Sequence, residues 1–195
     1  MIYEDFFKEH NTATLIQVEF TELMIVTRHL LNYMGGRYDD LLIYANVAGE
    51  YRQFFNQREI DHMVDVRNIF VAGYIIRNIA VAIFVITIAY AVFIDKTLRR
   101  IFIKCYFAAS LTVLILVTTL LIGIFLDFRH AFIIFHEIFF FNDYWQLDSA
   151  TSLLINMVPL SFFINMFIMA MTIFLSATFV MCVATGLFLC YLRKR

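Results

Sequence analysis

Proline is all but missing from this 195-residue chain: Pro159 is the only one, and glycine is held to six. Few breakers are therefore available to interrupt long helices. Charge is scarce as well, at 16% of residues against 62% apolar, with 23 phenylalanines and a mean hydropathy of +0.79. Soluble domains carry roughly 25% charge, so this composition excludes an ordinary soluble fold and marks an integral membrane protein. The net charge of −1 gives no sign of a nucleic-acid or acidic partner, and only the placement of charges along the chain is informative. The three cysteines, Cys105, Cys182 and Cys190, fall in or beside apolar runs without a C-x-x-C or Cys/His pattern and read as packed or lipid-facing residues. Met1 to Asp5 has neither the basic end nor the apolar core of a signal peptide.

The polar part of the chain is residues 1 to 68, where eleven Asp or Glu face six Lys or Arg and no run is long enough to cross a bilayer. Leu23, Val26, Leu30, Leu31 and Met34 recur at helical spacing and Gly35-Gly36 follows, which predicts one short amphipathic helix over Glu22 to Met34. Residues 41–47 and 51–55 flank Ala48-Gly49-Glu50 in a pattern that suits a small hairpin. Asn56, with Glu59 three residues on, predicts a helix N-terminus. That helix meets no proline and only Gly73, so it runs from about residue 57 into the membrane.

Three membrane crossings follow, at 75–94, 105–126 and about 165–192, within one membrane domain covering 1–195. The 95–104 segment, with four basic residues and one acid, and Arg193-Lys194-Arg195 at the end place that loop and the C-terminus in the cytoplasm by the positive-inside rule. Residues 1–74 and the 127–159 loop then lie outside, on one face of the membrane. An external N-terminal region with no preceding apolar segment predicts a further helix ahead of residue 1. The expectation is an all-α membrane protein with three crossings here and a small external region.

Chemistry concentrates on the external face. His62 and Asp65 are neighbours at i and i+3 on a helix. The stretch from Phe135 to Pro159 embeds His136, Asn142 and Asp143, with the only Trp, Trp145, between two apolar runs. If 135–143 is helical, His136, Phe140 and Asp143 share a face. Each pattern alone also describes a surface pair or an interfacial aromatic belt. Ionisable groups at a membrane interface are costly to place, however, and two His-Asp pairs on one face point to a site. Arg77, in the outer turns of its span, suits either snorkelling to head groups or substrate binding. No G-x-S-x-G offers a nucleophile and no H-E-x-x-H offers a zinc site. His10, His29 and His130 show no partner pattern.

The stretches from Phe55 to Val66 and from Phe135 to Asp148, with their order and spacing, resemble the two signatures of the bacterial lipoprotein intramolecular transacylases, the Lit family. The resemblance covers nearly the whole chain. It implies a four-helix enzyme of the bacterial plasma membrane with its site at the outer leaflet, acting on diacylglyceryl-modified lipoproteins among membrane lipid. The reaction moves the sn-2 acyl chain to the free α-amine of the lipidated cysteine, without cofactor or metal. On this reading His136 is the base and His62 the polarising partner or acid, an order that could be reversed. Asp65 and Asp143 orient the rings, and Asn142, Tyr144 and Trp145, with Arg77, line or anchor the site. The family's Leu-Asp-Pro and later acid are replaced here by Leu147-Asp148-Ser149 and Ser152. The alternatives are a non-catalytic lipoprotein- or lipid-binding membrane protein and a metal-dependent membrane hydrolase.

Overall fold

The computed structural model describes residues 2–93 and 95–194, so Ile94, at the end of the first expected crossing, and Arg195, in the terminal basic run, lie outside the described residues. Among the described residues, three helices are long and apolar enough to cross a membrane, Gln57–Tyr90, Thr97–Leu126 and Leu160–Tyr191. The chain is an α-helical membrane protein. It divides into two compact units, Met1–Arg77 with Ile133–Phe163, and Asn78–Phe132 with Ile164–Arg195.

The first unit begins with two short helices that the sequence pattern did not predict, α1 (Ile2–Glu9) and α2 (Thr12–Leu15). Buried Phe6 and Phe7 hold α1, and the rings of Tyr3 and Phe6 lie 4.9 and 5.0 Å from that of Phe162. Eight residues cannot sustain a helix alone, so this packing across the chain is what fixes α1. Helix α3 (Phe20–Met34) matches the predicted amphipathic segment and buries Leu23, Val26, Thr27, Leu30 and Tyr33. Leu31, expected on the same face, is exposed.

Strands β1 (Tyr44–Val47) and β2 (Glu50–Gln53) form the expected hairpin, with Val47 opposite Glu50 and Tyr44 opposite Gln53. Ala48 and Gly49 both have positive φ, 55° and 86°, as a two-residue type I′ turn requires. The Ala48 N–H donates to Gln17 O at 2.8 Å, and the Glu22 carboxylate accepts from the backbone and side chain of Asn46. The hairpin is thereby tied to the start of α3.

Helix α4 (Gln57–Phe93) starts where Asn56 and Glu59 predicted. Their capping is reciprocal: the Glu59 N–H donates to Asn56 Oδ1 at 3.0 Å and the Asn56 N–H to Glu59 Oε2 at 2.7 Å. Its charges lie at Arg58, Glu59, Asp61, Asp65, Arg67 and Arg77. The apolar crossing therefore follows several polar turns, and His62 stands on those turns, outside it.

Helix α5 (Lys96–Leu126) corrects the 95–104 loop, because Asp95 caps the helix by accepting from the Thr97 N–H at 2.7 Å. The four basic residues lie in the first turns of this helix. The expected 127–159 loop likewise contains α6 (Phe128–Phe139) and α7 (Leu153–Met157). Since α6 ends at Phe139, Asp143 does not share a helical face with His136. Helix α8 (Leu160–Lys194) begins directly after Pro159.

In the second unit α5 and α8 come close at Gly186, where an added Cβ would meet the Phe107 ring at 3.2 Å. Phe128 packs edge-on against Phe167 with centroids 5.5 Å apart.

Candidate active site

The polar turns of α4, the end of α6 and the irregular segment 140–152 all belong to the first unit, and the chemistry-bearing residues collect where they meet. His62 and His136 are both buried, and their ring centroids lie 5.9 Å apart at an interplanar angle of 32°. Phe140, also buried, is 5.2 Å from each ring. The Trp145 ring lies 5.0 Å from that of His136. Two imidazoles thus share one aromatic-walled space.

His62 Nδ1 is buried and has no hydrogen-bond partner among the described residues. A buried polar atom left so costs about 1–3 kcal/mol, and a bound polar group would recover that cost. The pKa of His62 is pushed down to about 4, chiefly by burial, with the neighbouring His136 adding to the effect and Asp65 opposing it. His62 is accordingly neutral at physiological pH and suited to donate or accept a single hydrogen bond without charge.

The remaining predicted residues hold the segment that carries Trp145. Asn142 Nδ2 donates to Asp65 Oδ2 at 2.7 Å, and Asn142 Oδ1 accepts from the Tyr144 N–H at 3.1 Å. Asp65 therefore faces both His62, through the field it exerts, and Asn142, through a direct bond. Asp143 pairs with Arg58, whose guanidinium donates to the Asp143 carbonyl and stands 3.6 Å from its carboxylate. Tyr144 is partly exposed beside this pair. Arg77 packs over the Tyr74 ring at 5.1 Å and lines a different cavity. Fifteen residues along α4 from His62, it lies ~22 Å further down the helix axis.

Sequence reading gave no site role to Arg58, Glu59 or Ser152. Glu59 is buried, and beyond its capping bond its Oε1 accepts from Ser152 Oγ at 2.6 Å and from the Leu154 N–H at 2.8 Å. Ser152 Oγ in turn accepts from the Ile155 N–H at 3.2 Å, capping α7. Ser152 is one of the two departures from the family pattern, and here it joins α7 to the start of the His62 helix. The only sequence signal was an acid in a capping box, which says nothing about its second oxygen. Among the described residues, no three His, Cys, Asp or Glu side chains gather as a metal ion would need.

The model of the lipoprotein intramolecular transacylase family, Lit, matches residues 1–163. The chain belongs to the Lit family. Among solved structures it is similar to the membrane integral lipoprotein intramolecular transacylase Lit from Bacillus cereus, with a TM-score of 0.74 and 22% identity over 99% of this chain and 84% of that one. Variants of that Lit with a histidine replaced by alanine or by arginine match at TM-scores of 0.73 and 0.72, again at 22% identity and over 99% of this chain, covering 82% and 80% of theirs. At that identity the likeness is one of fold. Comparison with curated proteins by sequence gives no match. Family membership and the two buried imidazoles are independent observations, one of sequence and one of geometry.

Proposed function

We propose that this Lit-family chain is an acyltransferase of the bacterial plasma membrane, acting at the outer leaflet on lipoproteins whose N-terminal cysteine carries a diacylglyceryl thioether and a free α-amine. It moves the sn-2 acyl chain to that amine and leaves a lyso-form lipoprotein. The observation that carries this reading is the 5.9 Å separation of the His62 and His136 rings, close enough for one reacting centre to contact both.

Donor ester and acceptor amine sit on the same residue, so tethering removes much of the entropic barrier; well-oriented intramolecular reactions reach effective molarities of ~10⁵ M or more. What is left is proton movement and charge stabilisation. The α-ammonium, with a pKa of about 8, gives a proton to His136, and the amine nitrogen attacks the sn-2 carbonyl carbon. His62, held neutral, donates a hydrogen bond to the oxyanion that forms. Collapse breaks the ester C–O bond, His136 returns its proton to the glycerol oxygen, the attacking nitrogen sheds its second proton to solvent, and an amide and a free hydroxyl result. The low pKa of His62 supports this order of roles, since a group that resists protonation is a weak base and an effective neutral donor. Asp65, Asn142 and Asp143 position the segment bearing Trp145, while Tyr144 and Trp145 contact the lipid near its head group.

Mass spectrometry of N-terminal lipopeptides from cells that make diacylglyceryl lipoproteins, with and without this chain, tests the proposal. Conversion to the lyso form is expected. Failure to convert any lipoprotein, with the protein present and folded in the membrane, overturns it.

A further inference from the structure

Away from the two histidines, the first unit holds a cavity of about 640 Å³ between α3 and α4, within the ~300–1,000 Å³ range of small-ligand sites. Three arginines line it, Arg28, Arg37 and Arg77, and none of its described lining residues is acidic. Arg37 donates to Asn32 Oδ1 at 3.3 Å, and Arg77 lies over the Tyr74 ring at 5.1 Å. With its carbonyl oxygen so engaged, Asn32 has its amide NH₂ to offer a ligand as a further donor.

Depth along α4 narrows the kind of anion. Residues 79–93 carry no charge, which is ~22 Å of helix against a hydrocarbon core of about 30 Å. Arg77 therefore stands where the hydrocarbon gives way to head groups. Apolar Met24 and Leu31 line the same cavity as the arginines, so one wall suits acyl or glycerol carbon while the other suits an oxyanion.

We infer that this cavity binds the phosphodiester head group of a net-anionic phospholipid, through Arg28, Arg37 and Arg77, separately from the acyl-transfer site. Guanidinium forks match phosphate oxygens two at a time, which favours arginine at such a site. The inference stands whether or not the chain transfers acyl groups, because it uses none of the residues around His62 and His136.

Native mass spectrometry of the full chain in detergent, titrated with phosphatidylglycerol, phosphatidylcholine or inorganic phosphate, tests it. Phosphatidylglycerol should bind in preference to phosphatidylcholine, and R28Q/R37Q/R77Q should weaken it by about tenfold or more, as expected for losing several charge-assisted hydrogen bonds. The corresponding triple lysine variant, which keeps the charge, should retain intermediate binding. If inorganic phosphate displaces the lipid at millimolar concentration, the head-group phosphate alone carries recognition. If it does not, the glycerol and acyl portions contribute as well. Equal binding of the two lipids, or equal binding of phosphatidylglycerol to the original and glutamine-substituted chains, overturns the proposal. Should the triple variant fail to fold, R37Q alone, at an exposed position, must still lower the preference for phosphatidylglycerol, and an unchanged preference counts against the site.

Discussion

Ser152 donates its hydroxyl hydrogen to the buried carboxylate of Glu59 at 2.6 Å, joining the capped start of α4 to the capped start of α7. The two residues close the segment that carries Trp145 against the helix that carries His62. Ser152→Ala removes a donor from a buried oxygen and a cap from α7, for a loss of roughly 1–3 kcal/mol. A lowered unfolding midpoint in detergent would show it. A midpoint matching that of the original chain would mean that the bond contributes nothing to the fold.

The two histidines should respond differently to the same substitution. His136→Ala and His136→Gln should both lower lyso-lipoprotein formation by about 10²–10⁴-fold, since neither alanine nor an amide replaces a base. His62→Ala should cost roughly 10²–10³-fold, while His62→Gln keeps a neutral N–H donor and should recover part of that loss. Identical losses for both glutamine variants would contradict the assignment of roles.

Stability should depend on pH through His62. Its pKa is about 4 in the folded chain and ~6.5 when unfolded, so the unfolded chain binds the proton first. The folded state should therefore lose stability as pH falls from ~6.5 toward about 4, with no slope from this group above that window. Unfolding midpoints measured across the range for the original chain and for His62→Asn give the comparison. The variant should show a shallower acid slope, and parallel curves would rule out His62 as the source.

Asn142 and Asp65 should prove coupled. Their direct 2.7 Å bond is partly buried, and contacting pairs of this kind show interaction energies of ~0.5–3 kcal/mol. A double-mutant cycle with Asn142→Ala and Asp65→Ala, read as unfolding stability, measures it. The single variants should also slow acyl transfer, because the bond holds the segment bearing Trp145. Strictly additive losses would separate the two residues.

Arg58 and Asp143 provide the contrast. Their side chains are 44% and 71% exposed, and exposed pairs of this type contribute roughly 0–1 kcal/mol. Arg58→Gln should leave the unfolding midpoint nearly unchanged. A large drop would show that its donation to the Asp143 carbonyl carries more of the fold than its exposure indicates.

Much of the secondary structure was legible because its causes are local. The apolar spacing within α3, the Ala48-Gly49 turn and the Asn56/Glu59 capping box each act within a few residues. Helices α1 and α2 were not legible, since α1 depends on Phe162 from the far end of the first unit. The basic stretch at 96–104 was expected to be a loop and is helical, because basic side chains do not by themselves end a helix. Within the site, the residue types were legible but their partners were not. Asp143 faces Arg58, and Glu59 bonds Ser152, across intervals that no periodicity spans.

By itself the sequence determined that this is a helical membrane protein and which of its segments are polar enough to carry chemistry. Those properties follow from transfer free energies and hydrogen bonds made within a helix, both of which are summed along the chain. Only the tertiary structure decided that His62 and His136 share one buried space and that three arginines surround another. Such proximity depends on how side chains pack between segments far apart in the chain, and a linear pattern does not encode that distance.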